Sequence, residues 1–129
     1  MNEPPPNIPG AVPIDLQQAH NHSGPQWGYE SDDLNLTLLA WQAGEGVAPH
    51  VNREVDVVLI AVAGDGEVRV NGAVHVLRPG QALLIPKGVE RAIYPTSAQF
   101  RYLSVHRRRR GLMPTIGGWP TDRDHPPPP

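Results

Sequence analysis

The sequence has no cysteine, a single phenylalanine among 5% aromatics, and no strong charge of either sign, with 11 Lys and Arg against 13 Asp and Glu. Without cysteine there is no disulfide framework, no thiolate metal site and no thiol nucleophile. A formal charge of −2 argues against a general nucleic-acid binder. No apolar run approaches the roughly 20 residues that span a bilayer. The start, MNEPPPNIPGAVP, has no basic segment followed by an apolar one and so does not read as a secretory signal. The expectation is a soluble cytoplasmic chain with neither a nucleic-acid nor a membrane partner.

Proline and glycine are abundant instead, at 16 and 13 residues. The prolines are unevenly placed: eleven of the 16 fall in residues 1–14 and 113–129. These two stretches are expected to be disordered or polyproline-like tails. Residues 15–112 form the candidate folded body, long enough for one core.

The body reads as β. Val68 and Val70 alternate with polar neighbours, Asn71-Gly72 follows, and Val74 and Val76 alternate again. Asn-Gly tolerates the positive φ of a two-residue type I′ turn, so residues 67–77 are expected to form a hairpin with His75 opposite the valine face. The β-branched run EVDVVLIAVAG (54–64) predicts a central strand buried on both sides. Residues 81–86, 91–94 and 100–106 are shorter strand candidates. Residues 31–44 carry helix signals as well as alternation, and the surrounding β pattern favours a strand. Turn signals at 63–66, 71–72, 79–80 and 86–88 recur about every eight residues, the rhythm of a sandwich or barrel.

Residues 34–106 resemble the two motifs of a small single-domain cupin. Gly44, His50 and Gly64 fit the first motif, and Gly80, Pro86 and Gly88 fit the second. The resemblance implies an all-β, single-domain jelly-roll β-barrel. Cupins that bind metal use two His and a Glu from the first motif and one His from the second. Here only His50 stands in place. The second His is replaced by Asn52, the Glu by Val57, and the last His by Arg91, whose guanidinium stays protonated and cannot coordinate. No metal and no other cofactor is expected in the usual position, although Glu54, Asp56 or His106 could rebuild a site with His50.

An inward Arg91 would put a fixed cation near the metal's place, suited to carboxylate, phosphate or enolate oxygens. The competing reading is an internal ion pair with Glu54, Asp56 or Glu90. His50, at the start of a strand and pointing inward, is the candidate catalytic or ligand-binding imidazole, weighed against a structural role. Alternation puts Asn52 and Ile93 on the same face as His50 and Arg91. Tyr102 and His106 join them if Arg101 faces water, a phase that Leu103 and Val105 contest. Trp41 is either core filling or a ligand-stacking wall. Trp27 is expected to pack against a barrel opening. His20 and His22 have a two-residue spacing but no third ligand, and His125 lies in the tail. The run Arg107–Arg110 reads as a solvated strand end.

Four functions are compatible with these residues. The leading one is metal-independent binding of a small organic anion. The second is an isomerase, cyclase or dehydratase with His50 as general acid or base and Arg91 stabilising an enolate. A metal-dependent oxygenase and a non-catalytic regulatory module complete the set. Exposed sheet edges predict a homodimer, with residues 15–30 at the interface.

Overall fold

The computed structural model describes residues 10–17 and 22–109. Both proline-rich tails fall largely outside this range, as do His20, Arg110 and His125. Among the described residues nine strands follow one another: β1 (Gly24–Glu30), β2 (Leu34–Gln42), β3 (Val47–Val51), β4 (Val57–Ala63), β5 (Gly66–Val70), β6 (Ala73–Leu77), β7 (Ala82–Ile85), β8 (Glu90–Pro95) and β9 (Gln99–Arg107). They form a five-stranded sheet ordered β1-β2-β9-β4-β7 and a four-stranded sheet ordered β3-β8-β5-β6. Every pairing is antiparallel. The result is the expected all-β double sheet, with residues 31–44 contributing a strand. Among the described residues no helix is long and apolar enough to cross a membrane.

Glycine sets the corners. Gly64, Gly72, Gly80 and Gly88 all have positive φ, as does Asn71 at 49°. The Asn71-Gly72 turn pairs Val70 with Ala73 and fixes the hairpin register. That register corrects one expectation. Cross-strand partners share a face, and Val68 pairs with His75 while Val74 pairs with Arg69. A two-residue loop therefore puts His75 on the buried valine's face. Val74 and Val76 fall on the other face and remain 56% and 47% exposed. They border a groove between β6 and β7 that none of the expected site residues lines.

The run at 54–64 also differs from expectation. Only Val57 onward is strand, and its burial alternates. Val57, Leu59 and Ala61 enter the core, while Val58 and Ile60 are half-buried on the outer face. β9 occupies the middle of the sheet and β4 lies beside it. Strand neighbours on both edges, rather than burial on both faces, account for the β-branched run.

The core lies between the sheets. Leu39, Val57, Leu59, Ala61, Phe100 and Tyr102 from one sheet meet Val47, Val68, Leu77 and Ile93 from the other. Each large apolar side chain among them contributes about 1.5–3 kcal/mol on burial. Gly66 makes room for Phe100: a Cβ at that position would collide with the ring.

Candidate functional site

The site begins with strand register. β8 lies between β3 and β5, so Arg91 pairs with His50 on one side and Val70 on the other. All three residues point to the inner face. Arg91 is 1% exposed. Its Nε, Nη1 and Nη2 are buried, and among the described residues they have no hydrogen-bond partner and no carboxylate forms an ion pair with the group. The internal-pair reading fails on these contacts. Asp56 instead accepts the backbone N–H of Lys87 at 2.9 Å, and Glu54 lies with Arg109. Burial depresses the guanidinium's pKa from its ordinary value, and the nearby charge of Arg109 adds to the effect.

His106 reaches the same region from the facing sheet. It pairs with Val57 on β4 and Asn35 on β2, and Val57 is fully buried. Its Nδ1 lies 2.8 Å from the Arg107 carbonyl. A carbonyl only accepts, so Nδ1 carries the proton and Nε2 holds the lone pair. Burial pushes the imidazole's pKa down. The bond to Arg107 opposes this, Arg109 and Arg91 push it further down, and Glu54 opposes again. The Arg91 and His106 charges are thus within electrostatic reach of each other. Arg109 belongs to the same group. Its Nε lies 3.6 Å from Glu54 Oε1, and burial lowers its pKa against the pull of Glu54.

Asn52 adds a further donor. Its Oδ1 accepts the N–H of Glu54 at 2.9 Å and of Val55 at 3.3 Å, which turns the chain after β3. Its Nδ2 is buried without a partner among the described residues. His50 is half-buried near the end of β3 rather than at its start, and its Nδ1 donates to Ala48 O at 3.0 Å.

The other expected site residues lie elsewhere on the inner face. Trp41 Nε1 donates to the Tyr102 hydroxyl at 3.0 Å, and Tyr102 packs against Phe100 at 5.1 Å between centroids. Tyr102 is fully buried, which raises its pKa. It stands four residues along β9 from His106, about 13 Å at strand rise. Ile93 is fully buried in the core. The structure therefore brings Arg91, His106, His50 and Asn52 towards one end of the sandwich and leaves Trp41, Tyr102 and Ile93 in its packing. Trp27 lies in edge strand β1 against Tyr29, 5.2 Å between centroids, and not across an opening.

The described part of the arginine run is the expected solvated strand end: Arg107 closes β9 and is exposed, Arg108 is half-buried and Arg109 is exposed. Arg107 Nη2 donates to Glu54 O at 3.3 Å. Arg108 pairs with Glu30 at 3.2 Å and donates to Ser31 O. Arg109 lies with Glu54, and its charge acts on Arg91 and His106. Sequence reasoning gave Arg109 no part in the site, and its place beyond the end of β9 carries no strand-phase signal that could have found it.

A cupin-domain family model matches residues 37–106. The chain belongs to the cupin family. Among solved structures, this cupin resembles protein BH2720 from Bacillus halodurans, with 19% identity, a TM-score of 0.67, and 83% and 88% of the two chains covered. It also resembles TT1209 from Thermus thermophilus, with 26% identity, a TM-score of 0.61, and 73% and 91% covered. KdgF from Halomonas sp. is a third, with 22% identity, a TM-score of 0.58, and 62% and 74% covered. No curated protein matches the chain.

The metal implied by the family does not fit this donor set. A buried guanidinium with three unpartnered nitrogens stands at the last ligand's position, and buried Val57 replaces the carboxylate. Glu54 turns to Arg109, and its side chain is 56% exposed. Among the described residues no three His, Cys, Asp or Glu side chains converge.

Proposed function

We propose that this cupin is a metal-independent binding protein for a small organic anion, held by Arg91. The unpartnered guanidinium of Arg91 carries the reading. A buried charge is costly without a counter-ion, and among the described residues the protein supplies none to Arg91. A guanidinium presents a planar fork that matches a carboxylate with two parallel hydrogen bonds. Asn52 Nδ2 offers another donor from the chain just after β3, and Val57 and Val70 supply apolar walls. Few polar groups set among apolar ones is the usual composition of a small-molecule site. The homodimer belongs to the same reading, since β1 and β7 remain as edges of the larger sheet and open edges invite pairing.

The test is calorimetric titration of the metal-stripped protein with small carboxylates, such as acetate, pyruvate and 2-oxoglutarate. Binding that survives chelation, weakens in Arg91→Lys and disappears in Arg91→Ala is the expected result. Binding that requires added Fe, Mn, Ni or Zn would refute metal independence. Binding unchanged in Arg91→Ala would remove the guanidinium from the site.

A further inference from the structure

We propose that His106 is the proton acceptor in an enolisation of a 2-oxo acid held by Arg91, which makes the protein a tautomerase-type or isomerase-type catalyst. The inference rests on the anion-binding reading and adds to it the identity of the base and the substrate class.

The first observation is the fixed tautomer. His106 Nδ1–H is committed to the Arg107 carbonyl at 2.8 Å, so the basic atom is Nε2. The second is placement. His106 points inward in the row of Val57, and Arg91 points inward from the facing sheet in the row of His50 and Val70. The third is charge. Burial, and after it Arg109 and Arg91, disfavour imidazolium against the Arg107 carbonyl bond, so His106 meets the substrate as a neutral base. Of the groups around it, Glu54 alone opposes them electrostatically, and Glu54 is drawn to Arg109. His50 is less suited to the task. It stands beside Arg91 on the same sheet rather than across from it.

The substrate class follows from the donor count. A guanidinium has five N–H donors on three nitrogens, and all three nitrogens of Arg91 lack partners among the described residues. A carboxylate accepts two hydrogen bonds in the fork and leaves others for a neighbouring oxygen. A 2-oxo acid has that oxygen on the next carbon. In the proposed step Nε2 takes a proton from the carbon adjacent to the ketone. The C–H bond's electron pair forms the C=C bond, and the carbonyl pair moves onto oxygen as an enolate opposite Arg91. Proton return from Nε2 to carbon or oxygen completes the tautomerisation. No oxidant, reductant or co-reactant is required. General-base catalysis of this kind is worth about 10²–10⁴-fold, and a pre-set cation opposite the developing oxyanion adds to it.

The experiment follows deuterium incorporation by proton NMR in D₂O with pyruvate, 2-oxobutyrate and 2-oxoglutarate, alongside calorimetric binding of the same three compounds. The expected result is protein-dependent exchange at the carbon next to the ketone in at least one compound that binds. His106→Gln should retain binding within about threefold and lose exchange by about 100-fold or more. His75→Gln, on β6 and outside this end of the sandwich, should retain both. If none of the three binds, the anion-binding reading fails. Binding without exchange overturns the base assignment alone, as does exchange lost in His50→Gln but kept in His106→Gln. Imidazole ¹⁵N shifts of wild-type protein give an independent check: a neutral His106 protonated on Nε2 instead of Nδ1 would also overturn it.

Discussion

Arg91 on β8 stands directly across from His50 on β3, yet among the described residues neither Nη of Arg91 nor its Nε finds a hydrogen-bond partner. Two positions that metal-binding cupins fill with ligands hold here a cation and an imidazole on adjacent strands. Neither can neutralise the other. The consequence is a charge stored in the interior at the expense of stability.

That cost is measurable. Replacing Arg91 by methionine keeps a long flexible side chain and removes the unpaired charge. The folded protein without ligand should become more stable, by about 1–3 kcal/mol, since an unsatisfied buried polar group carries a penalty of that order. Chemical denaturation gives the number, and carboxylate binding should be lost in the same variant. Destabilisation of similar size would mean that Arg91 holds the fold together.

Trp41 and Tyr102 make the opposite prediction. Their hydrogen bond lies within the packing, four residues along β9 from His106. Trp41→Phe leaves the buried Tyr102 hydroxyl unpaired and should cost about 1–3 kcal/mol. The double variant with Tyr102→Phe should cost less than the two single changes combined, because both remove one bond. Carboxylate affinity should change in none of the three. A tenfold loss of affinity in Trp41→Phe would return the indole to the site.

The sequence revealed the fold more fully than the site, for physical reasons. Gly64, Gly72, Gly80 and Gly88 punctuate the chain because each occupies a positive φ, and such corners are visible as residue types. Strand phase is visible only once register is set. Val74 and Val76 look like core partners of Val68 until the two-residue turn pairs Val68 with His75. The strand β1 carries Pro25 and Gly28 and no alternation of its own; its place is set by pairing along β2. Arg91, His50 and Asn52 could be placed from motif spacing because they belong to two short segments. Arg109 could not. Its charge reaches Arg91 only through the folded arrangement beyond the end of β9, and four consecutive arginines give no sign of which one it is.

Gly66 offers a test of the packing that shapes the inner face. A methyl group there would overlap the Phe100 ring, whereas one at Gly28 would meet Leu36 O at an ordinary 3.5 Å. Gly66→Ala should destabilise by about 1–3 kcal/mol through overpacking. Gly28→Ala should be neutral or slightly stabilising, because alanine restricts the unfolded chain. Thermal denaturation of both variants makes the comparison. Equal effects would mean that Phe100 moves aside at little cost.

The last prediction is a pH dependence with a definite sign. His106 has a folded-state pKa below its ordinary value of 6.5, chiefly through burial and then through Arg109 and Arg91, against the Arg107 carbonyl bond and Glu54. Between the two values the unfolded chain holds more protons than the folded one. Stability therefore rises with pH across that window and falls as the pH drops from about 6.5 towards the folded-state value. For one proton the slope cannot exceed about 1.4 kcal/mol per pH unit. Urea denaturation between about pH 8 and pH 5.5 should show a plateau above about pH 7 and a decline below about 6.5. His106→Gln cannot take up the proton and should flatten the decline. A bound carboxylate supplies the missing negative charge beside Arg91 and draws the folded-state pKa of His106 back towards its ordinary value, so saturating pyruvate should make the decline shallower. Wild-type protein whose stability increases on acidification through the same window would mean that His106 is held charged, and the two arginines would then have to be neutralised by a partner.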